Sequence, residues 1–134
     1  MSPANTKVLV VDDEPFMIRL IEIVLERDGY SMVKAANGSE AVEVARRERP
    51  ELIIMDGMMP KMDGLTALRL LKQDQATQGI PVILLTANPN RFSKEEAVSS
   101  GAMVFLTKPF SPTQLLGEIR RIRSSQQQVH ERSK

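Results

Sequence analysis

The chain has no cysteine and no tryptophan, and only one histidine and one tyrosine. Without cysteine it has neither a disulfide framework nor a thiol nucleophile, which fits the cytoplasm, the location we expect for it. The single histidine, His130, lies in a polar C-terminal stretch, so histidine catalysis within the chain is set aside. No apolar stretch approaches the roughly 20 residues of a membrane helix, and no membrane contact is expected. The opening Met1-Ser2-Pro3-Ala4-Asn5-Thr6 lacks the apolar segment of a signal peptide. A charge excess of one sign is missing too, the formal net charge being +1 over 134 residues. The balance is uneven, however: the segment from Lys108 onward carries +4 and the remainder −3. With aromatics at 4% there is little to stack on bases. The basic segment therefore reads as the solvated face of a last helix, and no direct nucleic-acid contact is expected.

What is present is a regular alternation of strand and helix signals, repeated five times over a length that suits one domain. Four strand runs are almost wholly apolar: Val8–Val11, Leu52–Met55, Val82–Leu85 and Met103–Leu106. Continuous apolar runs of this kind mark strands buried on both faces of a parallel sheet. A fifth run, Ser31–Ala35, is more polar and reads as an edge. Helix signals lie between the runs. Pro15 suits a first turn, Met17, Leu20, Ile21 and Val24 follow at helical spacing, and Gly29 supplies a stop. Asn37 or Ser39 starts a second helix with Ala41, Val42 and Ala45 inward, and Leu65, Leu68 and Leu71 mark a third. Ser93 with Glu96, and Ser111 with Gln114, read as capping boxes. The last helix turns Leu115, Leu116, Ile119 and Ile122 inward. One domain is expected over residues 1–123. Residues 124–134 are expected to form a polar tail or the start of a linker helix.

Each apolar run ends at a polar residue unsuited to a core: Asp12-Asp13, Asp56, Thr86, and Lys108 just beyond the fourth. Open α/β sheets bind ligands outside the carboxyl ends of their strands. In a doubly wound sheet ordered 2-1-3-4-5, the ends of the first and third strands are neighbours, and three carboxylates converge. At ~4 Å two such charges repel by about 4 kcal/mol at a protein-surface dielectric, so counter-charge is required. Lys108 supplies one unit. Hard oxygen donors without His or Cys point to Mg²⁺ for more. A metal, an ammonium and a hydroxyl around one carboxylate suit phosphoryl transfer, and a carboxylate can itself be the nucleophile. Asp56 is the best candidate because it stands alone at the end of the central strand. The paired acids suit the metal.

At these residues the chain resembles the receiver domain of two-component response regulators, in particular the single-domain chemotaxis-type regulators. The resemblance runs from about Lys7 to Arg123. It rests on Asp12-Asp13, on Asp56-Gly57-Met58-Met59-Pro60 with Met62-Asp63-Gly64, on Thr86-Ala87, and on Gly101-Ala102 leading to Lys108-Pro109-Phe110. It implies a flavodoxin-like α/β fold with five helices and a phospho-acceptor switch that is not a conventional enzyme. Such a switch catalyses its own phosphorylation and slow dephosphorylation. Asp56 would take a phosphoryl group from a sensor histidine kinase or histidine phosphotransfer protein. Asp13, Asp56 and the Met58 carbonyl would hold Mg²⁺, with Mn²⁺ as a substitute, and Asp12 would act through water. Thr86 and Lys108 would hold the phosphoryl oxygens. The Lys108-Pro109 bond would be cis. Thr86 and Phe105 would move together and reshape the face of the fourth helix, fifth strand and fifth helix toward a downstream target, a fused output domain or a second copy.

Two positions bear on how long the phosphoryl group lasts. Met58 and Asn88, two residues after Asp56 and Thr86, occupy lifetime-tuning positions in that family. Met58 cannot orient an attacking water, so slow self-dephosphorylation is expected. Phe105 replaces the commoner tyrosine. Met103 and Val104, beside the switch face, are candidates for a partner surface. Two other readings fit less well. An aspartate-nucleophile phosphatase of the haloacid-dehalogenase type wants an Asp where Met58 stands. A flavin-binding protein wants a first loop rich in Ser, Thr and Gly, whereas this one is acidic.

Overall fold

The structure, a computed structural model, describes residues 6–59, 61–87 and 94–132, with residues 125–132 given by backbone alone. Five strands, β1 (Lys7–Val11), β2 (Ser31–Ala35), β3 (Leu52–Asp56), β4 (Val82–Thr86) and β5 (Val104–Thr107), alternate with five helices. The helices are α1 (Pro15–Arg27), α2 (Gly38–Glu48), α3 (Gly64–Gln73), α4 (Lys94–Ser99) and α5 (Pro112–Arg132). All strand pairs are parallel, in the order β2-β1-β3-β4-β5. The apolar runs point to a parallel sheet buried on both faces, and this is the doubly wound, flavodoxin-like form of it that the resemblance implies.

The sheet divides the core in two. Leu9, Val11, Ile53, Met55 and Leu84 face α2, α3 and α4, packing on Ala41, Val44, Ala45, Leu65, Leu68, Leu71 and Ala97. Val8, Val10, Ile54, Ile83 and Leu85 face α1 and α5, packing on Ile21, Leu25, Leu115, Ile119 and Ile122. All five residues of β3 and of β4 are buried, which explains why their runs carry no polar alternation. Each fully buried Leu or Ile contributes about 1.5–3 kcal/mol, so this two-sided burial is what holds the strand ends in place. β2 is the exposed edge.

Helix ends follow local chemistry. Asp12 Oδ1 accepts the Glu14 N–H at 2.9 Å just before Pro15 opens α1, and Gly29, at φ 80°, closes it. Asn37 rather than Ser39 caps α2, accepting the Glu40 N–H at 2.9 Å. Asp63 caps α3 through the Thr66 N–H at 2.8 Å. Ser111 Oγ accepts the Gln114 N–H at 3.0 Å, half of the expected capping box. Ser93 lies outside the described residues.

Some sequence expectations need correction. The last strand begins at Val104, one residue later than the apolar run, and extends to Thr107. Met103 precedes it and is 56% exposed, whereas Val104 is buried in the core and offers no partner surface. Val44 takes the inward place in α2 that was expected of Val42, which is only half-buried, as is Leu116 in α5. Amphipathic spacing fixes a stripe to within one residue, and packing chooses between neighbours on its border.

Candidate functional site

Strand alternation sorts the polar rim before any side chain is placed. Asp56 follows the parity of Leu52 and Ile54, and Lys108 that of Val104 and Leu106. Both runs face α1 and α5. Thr86 follows Val82 and Leu84, facing α2, α3 and α4. Phe105 pairs with Leu84, and Thr107 with Thr86, so Thr86 and Phe105 share that second face. The charged groups thus gather on one side of the sheet end and the hydroxyl with the aromatic ring on the other.

Carboxylate oxygens of Asp12, Asp13 and Asp56 lie within 4.8 Å of one another. Asp12 and Asp56 are buried and Asp13 is exposed, so the cluster opens to solvent through Asp13. Beside it, a cleft of about 480 Å³ between α1 and β2 is lined in part by Asp12, Asp13, Ile18 and Lys34. Lys108 Nζ donates to Asp12 Oδ2 at 3.2 Å and stands 3.6 Å from Asp56 Oδ2. The other Asp56 oxygen, Oδ1, accepts the Met58 N–H at 3.2 Å. Burial pushes the Asp56 carboxyl above the usual carboxylate range. The Met58 N–H and Lys108 pull it back only in part, and Asp12 and Asp13 add to the rise. Lys108 thus contacts two of the three clustered carboxylates. Three hard oxygen donors open to water on one side form a set that Mg²⁺ accepts, since it binds one or two carboxylates and keeps waters.

Thr86 is fully buried at the end of β4. Its carbonyl accepts the Lys108 N–H at 2.6 Å, which ties the lysine to the neighbouring strand. The Lys108-Pro109 bond is cis. Phe105 is half-buried and packs against the core on the α2–α4 side. Met58 is 37% exposed. Asn88 lies outside the described residues.

Two glycines do work that sequence reading did not assign. A Cβ on Gly64 would sit 2.3 Å from the Asp56 carbonyl oxygen and 2.8 Å from Gly57 Cα. The start of α3 therefore lies directly on the backbone that carries Asp56, and the Gly64 N–H donates to the Gly57 carbonyl at 3.0 Å. A Cβ on Gly38 would meet the Met62 carbonyl oxygen at 2.6 Å. Gly38 and Gly64 thus clamp the loop after β3 from opposite ends. The glycine in Met62-Asp63-Gly64 was visible as part of a motif, but nothing local in the sequence shows that β3 is what it touches.

With the geometry in hand, comparisons with known proteins agree. The family model described as the response regulator receiver domain matches residues 8–120. Protein PilH of Pseudomonas aeruginosa is 37% identical over 113 residues, covering 84% of this chain and 93% of PilH. The alkaline phosphatase synthesis transcriptional regulatory protein PhoP of Bacillus subtilis is 39% identical over 118 residues, covering 88% of this chain. The chain spans only 48% of PhoP. Among solved structures, the receiver domain of the sensor histidine kinase PA1611 from Pseudomonas aeruginosa superposes with a TM-score of 0.79 at 33% identity. That match covers 87% of this chain and 95% of the other, which has a magnesium ion coordinated in its active-site cleft. No described helix is long and apolar enough to cross a membrane. The chain belongs to the response regulator receiver domain family, whose members are signalling switches.

Proposed function

We propose that Asp56 is the phosphoryl acceptor of this receiver domain. The observation that carries the reading is a buried carboxylate flanked by two further carboxylates and one lysine, at the end of a fully buried central strand. The donor is a phosphohistidine on a sensor kinase or phosphotransfer protein. An Asp56 oxygen bonds to phosphorus as the P–N bond breaks, and the imidazole, protonated on its other ring nitrogen, takes the bond's electron pair and departs as a neutral base. Lys108 already stands near Oδ2 and neutralises charge on the incoming oxygens. Met58 keeps Oδ1 oriented through its N–H. Asp13, Asp56 and the Met58 carbonyl would hold Mg²⁺ directly, Asp12 would assist through water, and Mn²⁺ would substitute. A cation held by these groups would supply positive charge against the carboxylates and the phosphoryl oxygens. Through these groups the domain catalyses its own phosphorylation.

The signal leaves the site through Thr86 and Phe105. Both belong to the sheet face covered by α2, α3 and α4, on adjacent strands two register steps apart. A phosphoryl group draws the Thr86 hydroxyl toward it, and Phe105 turns into the space that opens. The face of α4, β5 and α5 then favours a downstream protein, a fused output domain or a second copy. A local charge event biases a two-state element in this way. With an apolar side chain at Met58, hydrolysis of the aspartyl phosphate is slow. Incubation with acetyl phosphate and Mg²⁺ tests the acceptor role. One phosphoryl mass on the wild type and none on Asp56→Asn is the expected result, and an equal mass on both contradicts it.

A further inference from the structure

Methionine is concentrated around the acceptor: Met55, Met58, Met59 and Met62 surround Asp56 in the sequence. Their burial is graded. Met55 is fully buried, and Met59 and Met62 pack against the core. Met58 alone of the four is more than a third exposed, at 37%. Elsewhere among the described residues only Met103 is a more exposed methionine, and Met17 and Met32 pack on the opposite core. Close backbone packing flanks the loop, with Gly64 against Asp56 and Gly38 against Met62, and the Met58 N–H donates to the Asp56 carboxylate at 3.2 Å.

We propose that Met58 is an oxidation site that sets the stability of the phosphorylated state, an inference that rests on Asp56 being the acceptor. The oxidant class is a peroxide. A sulfur lone pair attacks one peroxide oxygen, the O–O bond breaks, and the departing hydroxide takes up the remaining proton to leave as water. Sulfur is oxidised by two electrons and the peroxide reduced by two. The product replaces a thioether, a weak acceptor, with a polar S=O that accepts hydrogen bonds strongly. At the solvent-facing lip of the acceptor loop, that oxygen holds a water beside the phosphorylated carboxylate, where the thioether cannot. Oxidation thereby shortens the life of the phosphoryl group, and reduction of the sulfoxide restores it.

The test uses the whole chain carrying Met103→Leu, so that the one more exposed thioether among the described residues is absent. Protein treated with hydrogen peroxide is digested and each methionine's oxidation measured by mass. Phosphorylated protein is then followed with and without treatment. The expected result is oxidation at Met58 ahead of Met55, Met59 and Met62, with dephosphorylation faster by about fivefold, the rate equivalent of one hydrogen bond. Methionine sulfoxide reductase reverses the change, and Met58→Leu abolishes the response to peroxide whatever its own starting rate. Equal oxidation across the four methionines, or an unchanged rate once Met58 is oxidised, overturns the proposal. Failure of the untreated protein to take any phosphoryl group instead overturns the acceptor reading, and this inference with it.

Discussion

The Lys108 ammonium lies 3.6 Å from the Asp56 carboxylate while donating a 3.2 Å hydrogen bond to Asp12. Both acids are buried and the lysine side chain is only 11% exposed, so one cation serves two carboxylates in a largely dry place. Removing it leaves buried charge uncompensated. Lys108→Met is expected to lower stability by about 3 kcal/mol in metal-free buffer, in the range for breaking a buried ion pair. Added Mg²⁺ recovers part of that loss. Urea unfolding with and without the metal reads both effects, and an equal loss in both buffers contradicts the charge argument.

The opposite change is expected at the acceptor itself. The Asp56 carboxyl is held above the ordinary carboxylate range by burial first and by Asp12 and Asp13 besides. A group with a raised folded-state pKa binds more protons folded than unfolded, so its ionisation costs stability as pH rises. That cost is absent below the ordinary carboxylate pKa and complete above the raised folded value. Asp56→Asn should therefore be more stable than the wild type at neutral pH without metal, first because the amide has no charge to desolvate and then because repulsion from Asp12 and Asp13 is relieved. The advantage shrinks as pH falls through that window. Thermal melts across an acid-to-neutral series check it, and a pH-independent difference contradicts the assignment.

Metal affinity should follow the acid cluster. Asp13 is its exposed member, so Asp13→Asn replaces a carboxylate ligand with a neutral, weaker amide oxygen while leaving the core untouched. Loss of one such ligand is expected to weaken Mg²⁺ binding by at least about tenfold, or roughly 1.4 kcal/mol. Calorimetric titration measures this directly. Unaltered affinity places the cation elsewhere.

Gly64→Ala tests the clamp on the acceptor strand. The new methyl group would sit 2.3 Å from the Asp56 carbonyl oxygen, and backbone on that side has no flexible end to yield. A destabilisation of about 1–3 kcal/mol is expected, as for overpacked cores, together with slower phosphorylation. Gly117→Ala, where nothing lies within 4 Å of the added atom, is the matched control. Equal behaviour of the two variants removes the clamp from the account.

Much of this was legible in the sequence because parallel strands buried on both faces leave an unusually plain trace. Val8–Val11 and Leu52–Met55 admit no polar residue until the rim, so Asp12 and Asp56 stand out at once. Right-handed crossovers leave the full sheet order open; 2-1-3-4-5 is the order of the flavodoxin-like fold that the resemblance implies, and the structure has it. What the sequence left hidden were contacts between distant backbones. Gly64 on Asp56 and Gly38 on Met62 depend on how α2 and α3 cross the loop, which no local pattern records. The bidentate pair between Arg120 and Asp28, joining α5 to the end of α1, was equally invisible. Met103 was misread for a different reason. Its hydropathy continues the strand run, yet its backbone N–H donates to the Val82 carbonyl from just outside β5, leaving the side chain in solvent.

The location of the phosphoryl group is the most direct test of the central claim. After reaction with acetyl phosphate and Mg²⁺, borohydride reduction converts an aspartyl phosphate to homoserine, which marks its position permanently for peptide mapping. Homoserine at position 56 alone, and none when Mg²⁺ is chelated beforehand, is the predicted result. Homoserine at Asp12 or Asp13, or labelling that persists without the metal, would contradict it.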